Sequence, residues 1–317
     1  MAPDAVAASR PATARRRQPL PGYRWSARVP FSGTRWWTAV AVLAALAMPL
    51  CAEDVGERLI SVDAAITEII YALGEEGRLV GIDTTSRYPE ATEALPTVGY
   101  KRALSAEGIV GLAPSAVLAT DEAGPPEVLT QIERAGVPVR QLPDEPTVGG
   151  LYEKIRAVAE LLGRDAAGVE LIARIEADLA RIAGSTDAEA ARPRVLFLLH
   201  FGAGGGRGAG RETAADTVIR LAGGENVLHD AFTGYKPFSA EAALAAAPDV
   251  ILMTEGNLEE LGGIEAVLVR SGLAATPAGQ ARRVIGMDAS LLLGFGPRLG
   301  TAATSLARHL GTVTDIE

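Results

Sequence analysis

A segment of 17 residues occurs twice in this chain. Residues 104–120 read LSAEGIVGLAPSAVLAT and residues 238–254 read FSAEAALAAAPDVILMT, with seven identities. Ser105/Ser239, Glu107/Glu241, Pro114/Pro248 and Thr120/Thr254 are among them, so alanine richness does not explain the match. Just upstream, Gly99-Tyr100-Lys101 pairs with Gly234-Tyr235-Lys236, with a one-residue slip before the serine. Further upstream, EIIYALG at 68–74 resembles TVIRLAG at 217–223. Each copy carries the same local instructions. A serine caps a helix, and an acid two residues later lies in the first turn, where the helix dipole favours it. The helix stops before a proline. The next run, SAVLAT or DVILMT, is apolar throughout and suits a buried parallel strand. Duplication of such a unit implies two related α/β halves.

Further strand candidates are RLISV (58–62), LVGI (79–82), VPVRQL (137–142), RVLFLL (194–199) and RVIGM (283–287). Between the halves lies the most helical stretch. VGGLYEKIRAVAELLG (148–163) reads as one helix ending at Gly163, and DAAGVELIARIEADLARIAG (165–184) as a second. In the second, Val169, Ile172, Ile175, Leu179 and Ile182 recur at three- and four-residue steps. The expected plan is an α/β protein with two Rossmann-like lobes. Lobe 1 covers 56–164, a connecting helix and linker 165–191, and lobe 2 192–317. A single helical connection implies a cleft that opens little, because large hinge motion needs loop crossings.

The N-terminus is unlike the rest. TAVAVLAALAMPL (38–50) is uncharged and apolar, but a membrane span needs about 20 such residues. Residues 1–52 hold seven arginines and one acid, and Glu53 and Asp54 follow. That order is the order of an export signal, cleaved after Ala47 or Ala52. Cys51 could carry a lipid anchor, but the preceding Leu50 disfavours it because attachment prefers a small residue there. With residues 1–52 removed the chain is cysteine-free, which suits the periplasm. The leader's arginines also make the body more acidic than the chain's net −9 suggests. Such a body does not bind nucleic acid non-specifically, which takes clustered positive charge. One cysteine and three scattered histidines exclude a disulfide framework and multi-cysteine metal sites, and disfavour zinc.

Few residues are left to carry chemistry. Tyr100 lies in a loop before a helix, beside Lys101 and Arg102. A phenolate is a hard oxygen donor suited to ferric iron, and Arg102 would stabilise it. The plainer alternative is a tyrosine packed at the surface with its hydroxyl hydrogen-bonded. Tyr235, with Lys236, is the partner in lobe 2, where Pro237 stands in place of an arginine. His200 ends a strand, and ligands of open α/β sheets bind beyond the carboxyl ends of strands. The Gly-rich run 201–216 is no Walker motif. It reads as a mobile loop carrying Arg207 and Arg211, and GFGPR (294–298) as another carrying Arg298. Glu107 and Glu241 stabilise helix N-termini, at about 0.3–1 kcal/mol each. Alternatively they are two matched acidic knobs for a two-fold symmetric partner with basic sockets. No Gly-x-Ser-x-Gly, cysteine nucleophile or other catalytic constellation occurs, so an enzyme is not expected.

Taken together, VGYKRALSAEGI, LPDEPTVGGLYEKIRAVAELLG, TAADTVIRLAGGENV, FTGYKPFSAEAALAAAPDVI, TPAGQARRVIGMD and LLLGFGPRL resemble, in this order, the periplasmic haem-binding proteins of bacterial haem ABC importers. The resemblance runs from about Arg58 to Leu310. It implies a helical-backbone periplasmic binding fold and a transported ferric haem b. It makes Tyr100 the axial iron ligand with Arg102 in support, and His200 the candidate for a second ligand. It implies cleft contacts from Tyr235, Lys236, Arg207, Arg211 and Arg298, and docking of Glu107 and Glu241 on an inner-membrane permease dimer by a monomeric carrier. One departure is Arg211-Glu212-Thr213, where glycine is expected before the threonine. The rival expectations are a same-fold carrier of a ferric siderophore or a corrinoid, and a nucleotide-using α/β enzyme built on residues 202–210.

Overall fold

The computed structural model describes residues 56–185, 191–202 and 205–312. The expected leader, its cleavage sites and Cys51 lie outside these residues. The first part of the chain forms β1 (Leu59–Val62), α1 (Ala64–Ala72), β2 (Leu79–Ile82), β3 (Gly99–Tyr100), β4 (Ala103–Leu104), α2 (Ala106–Gly111), β5 (Ala116–Thr120), α3 (Pro126–Arg134) and β6 (Val139–Leu142). Two helices follow, α4 (Val148–Leu162) and α5 (Asp165–Ser185). The remainder forms β7 (Arg194–Gly202), β8 (Gly205–Ala209), α6 (Ala214–Leu221), β9 (Glu225–Asn226), β10 (Tyr235–Phe238), α7 (Ala240–Ala246), β11 (Val250–Thr254), α8 (Glu255–Glu260), α9 (Gly263–Ser271), α10 (Pro277–Gln280), β12 (Val284–Met287), α11 (Ala289–Leu293) and α12 (Leu299–Leu310).

The first sheet is parallel, in the order β2-β1-β5-β6. The second runs β10-β8-β7-β11-β12, with β9 beside β7, and is parallel except for the antiparallel β7-β8-β10 side. The duplicated segment is repeated in three dimensions. Ser105 and Ser239 each accept a backbone N–H at 3.2 Å, from Gly108 and Ala242. Ala113 and Ala247 both end their helices in the left-handed region, at φ 45° and 44°. Each is followed by a proline, which cannot continue a helix. β5 and β11 are then buried along their whole lengths.

Strand alternation distributes the apolar side chains. In β5, Ala116 and Leu118 join the main core, while Val117 and Ala119 join a second core under α3. In β7, Val195 and Phe197 join the main core, while Leu196 and Leu198 face a third under α9. The main core is continuous from Leu59 and Ile66 through Ile155 and Ile172 to Phe197 and Leu306. Both sheets, α4, α5 and the C-terminal helix therefore share one apolar interior. Burying each such side chain contributes about 1.5–3 kcal/mol. α5, about 31 Å long at 1.5 Å per residue, packs closely at its first turn and again past its middle. A Cβ on Gly168 would stand 2.6 Å from that of Ala159, and one on Gly300 2.6 Å from that of Asp178.

The Gly-rich run corrects an expectation. It is not a loop at this point: β7 continues through His200 to Gly202 and turns back as β8, pairing His200 with Arg207. Glycines without side chains let β8 lie between β7 and β10. A Cβ on Gly208 would stand 2.5 Å from Leu228.

Candidate functional site

Four carboxylates stand just beyond the carboxyl ends of the four parallel strands of lobe 1. Asp63 follows β1, Asp83 follows β2, Glu122 lies two residues after β5, and Asp144 two residues after β6. Asp63 caps α1 by accepting the Ala65 N–H at 2.9 Å. Asp83 accepts the Thr85 and Ser86 hydroxyls, at 2.7 and 2.8 Å. Burial raises the Asp83 carboxyl above its usual range, against those hydrogen bonds. Asp144 receives Lys154, an almost fully buried lysine of α4, at 2.5 Å. Burial pushes the Asp144 carboxyl up, and the Lys154 charge pulls it back only in part.

Tyr100 sits on this rim in the two-residue hairpin β3–β4. Gly99 makes the turn possible: its φ is 103°, and a Cβ there would stand 3.0 Å from the Ala103 carbonyl. The hairpin backbone is tied to both neighbouring loops. Thr84 donates to Gly99, Gly124 donates to Lys101, and Leu104 donates to Gly124, at 2.9–3.0 Å. The side chains then divide. Lys101 turns inward, and its Nζ lies 2.9 Å from Asp63 Oδ2 and 3.0 Å from Glu122 Oε2. Burial opposes that charge, but the two carboxylates outweigh it and raise the Lys101 pKa. Tyr100 and Arg102 turn outward, Tyr100 with 43% of its surface exposed. Arg102 Nη1 stands 3.5 Å from the Tyr100 hydroxyl, at the long end of a hydrogen bond, while Nη2 lies 2.5 Å from Glu122 Oε1. Glu122 loses some solvation, yet Lys101 and Arg102 hold its carboxyl below the usual range.

Lobe 2 contributes differently. Tyr235 is half-buried on β10, with its ring edge-on to Phe197 at 6.3 Å. Burial pushes its phenol up to about 12, although the Ala215 N–H and the Thr213 side chain hydrogen-bond to it. The more distant charges of Glu122 and Lys101 in lobe 1 also act on it, in opposite directions. Lys236, one residue on, is exposed on the opposite face of the strand. Arg207 Nε donates to the Tyr235 carbonyl at 3.1 Å, and Arg211 Nε to Thr233 Oγ1 at 3.0 Å. Strand register places His200 opposite Arg207 and Arg207 opposite Pro237, with Tyr235 two residues along β10 opposite Ala209, and His200 is exposed. Glu212, at the unexpected position, has φ 60°. That conformation favours glycine, which is why a glycine is expected there.

Arg298 is committed to the other lobe. Its guanidinium meets both oxygens of Glu68 on α1, at 3.0 and 2.5 Å, donates to Ser290 at 2.8 Å, and lies 3.6 Å above the Tyr88 ring. Burial raises the Glu68 carboxyl against the pull of Arg298. This is an interlobe clasp. Glu107 and Glu241 are both exposed in the first turns of α2 and α7. The surface cavities of about 570 and 470 Å³ lie elsewhere on lobe 1, around Arg78 and Arg140, and no candidate residue borders them.

The sequence reading passed over Asp63, Glu122, Asp144 and Lys154. The acids had a signal, since each follows a strand candidate within two residues. Lys154 had one too: with Leu151, Ile155 and Val158 it occupies the buried stripe of α4.

The family model for periplasmic binding proteins matches residues 59–291. A cobalamin-binding protein of Halobacterium salinarum is 30% identical over 201 residues, 62% of this chain and 53% of that protein. The match therefore spans about half the length of that curated relative. A haem-binding protein of Roseiflexus sp. RS-1, solved without ligand, is 44% identical with a TM-score of 0.77, over 80% of this chain and 98% of that one. The haem-binding protein BhuT, solved with two haems, is 44% identical with a TM-score of 0.74, over 80% and 97%.

Proposed function

The chain belongs to the periplasmic binding protein family, and we propose that it carries haem in the cleft between its lobes to an inner-membrane ABC importer. The observation that carries this reading is the Tyr100 hairpin. A solvent-facing phenol, with a guanidinium at 3.5 Å, stands at the strand ends of lobe 1. The 44% identity to two haem-binding proteins supports the same ligand. Tyr100 binds ferric iron as phenolate, Arg102 neutralises the anion, and Tyr235 covers the porphyrin from lobe 2. Arg207 and Arg211 meet the propionates. Lys236 and Arg298 are the less suited of the expected contacts, the first for its opposite face and the second for its clasp on Glu68. The protein is a transport component. The leader sends it to the periplasm, where it works as a monomer.

The test is a titration with ferric haem b followed by absorbance, in the wild type and in Tyr100→Phe. Saturable binding is expected, with a tyrosinate charge-transfer band that disappears in the variant. Affinity there falls about a hundredfold, the worth of one strong ligand bond. An unchanged spectrum and affinity would overturn the assignment. His200→Ala decides that residue: a changed axial-ligand spectrum or the loss of a second equivalent of haem gives it an iron, and an unchanged spectrum and stoichiometry leave it without iron contact.

A corrinoid is the second reading, favoured by the cobalamin-binding relative. A parallel titration with cyanocobalamin separates them, because a corrinoid carrier takes up cobalamin and shows no dependence on Tyr100. The exposed Glu107 and Glu241 dock on the two halves of the permease. Glu107→Arg with Glu241→Arg is expected to leave haem binding intact and to abolish uptake; normal uptake removes the docking role.

A further inference from the structure

The Tyr100 turn holds a continuous relay of charges whose last member faces the iron site. The Ala65 N–H binds Asp63, Asp63 binds Lys101, Lys101 binds Glu122, Glu122 binds Arg102, and Arg102 reaches the Tyr100 hydroxyl. Two cations and two anions alternate, so the relay is neutral as a whole. Glu122 is its branch point. One oxygen takes the inward lysine and the other takes the outward arginine.

We propose that Glu122 is a positioning residue for iron ligation: anchored by Lys101, its carboxylate fixes the Arg102 guanidinium beside the Tyr100 hydroxyl. The inference rests on the haem reading above. Three observations carry it. First, Arg102 is 53% exposed, and a free arginine there would spread over many rotamers, at a cost in entropy to any single contact. Among the described residues its side-chain partners are Glu122 and Tyr100, and Glu122 is the charged one that orients it. Second, the backbone locks the loop of Glu122 to the hairpin through Gly124 and Lys101 and through Leu104 and Gly124. The backbone of Glu122 is therefore fixed relative to the hairpin, and the Lys101 contact fixes its carboxylate. Third, lobe 2 lacks the whole device. Pro237 occupies the position corresponding to Arg102, and Lys236 is exposed rather than anchored.

Glutamine keeps the shape of Glu122 but has one acceptor oxygen, so it cannot serve both cations. Glu122→Gln is expected to release haem about tenfold faster to an excess of a haem-scavenging apo-globin, the scale of one charge-assisted hydrogen bond. Its tyrosinate charge-transfer band moves toward that of Arg102→Ala. Combined with Arg102→Ala it adds nothing further, because Glu122 acts through Arg102. Glu122→Asp keeps the charge with a shorter reach. It recovers most of the wild-type rate, and provides the same comparison at lower amplitude should the glutamine variant fold poorly. A wild-type spectrum and release rate in Glu122→Gln, or effects that add to those of Arg102→Ala, would overturn the proposal. If instead the wild type binds no haem, or ignores Tyr100→Phe, the haem reading itself fails and takes the role of Glu122 in iron ligation with it, an outcome distinct from a wild-type result in Glu122→Gln alone.

Discussion

Tyr100 and Tyr235 occupy the same tripeptide in two copies of one unit, yet they stand in opposite environments. Tyr100 projects from a two-residue hairpin into solvent, with a guanidinium at 3.5 Å. Tyr235 lies along a sheet strand, packed against Phe197 and held neutral by burial to about 12. Their lysine neighbours diverge likewise: Lys101 is half-buried between two carboxylates, and Lys236 is exposed. Repetition of sequence preserved the cap, the left-handed alanine and the buried strand. It did not preserve the side-chain chemistry. That is set by what lies beside each turn: strand ends with carboxylates in lobe 1, and the glycine-rich β8 in lobe 2.

The largest contrast is expected at the lysines. Lys101→Met leaves Asp63 buried without its cation and should cost about 3 kcal/mol in denaturant unfolding of the ligand-free protein. Lys236→Met should stay within about 0.5 kcal/mol. Equal costs would show that the two turns are braced alike. A smaller contrast lies in the alkaline range. The folded-state phenol of Tyr235 is raised from about 10 to about 12. Its contribution is therefore full below pH 10 and is lost as pH rises to 12, of order 2 kcal/mol. Tyr235→Phe should remove that part of the loss between pH 10 and 12, and Tyr100→Phe should leave it. Thermal melts across this range, compared between the two variants, check it; an alkaline slope as steep in Tyr235→Phe as in the wild type breaks the contrast, since Tyr71 and Tyr152, also raised, leave a smaller slope in every variant.

Much of the fold is legible along the chain because its signals are local. Ser105 and Ser239, the Gly163 stop and the apolar runs of β5, β7 and β11 each act within a few residues. The Gly-rich run was not legible in this way. Glycine signals freedom in sequence, but here it serves a close approach of β8 to Leu228 and Phe238. Of the site, the Tyr100 motif was visible, while its support was not. Asp63, Glu122 and Asp144 are far apart in sequence and meet only because β1, β5 and β6 lie side by side. Arg298 was legible as a loop cation. Its partner Glu68 lies 230 positions away, and no local pattern announces such a pair.

By itself the sequence determined the repeated α/β unit, its caps and stops, and the long helix that follows the first half. These follow from short-range backbone preferences and from the period of apolar residues. Only the tertiary structure decided which tyrosine is free and which is packed, that Lys101 points inward, and that Arg298 clasps the opposite lobe. Those outcomes depend on burial and on charges brought together from distant positions, and both exist only once the strands are side by side.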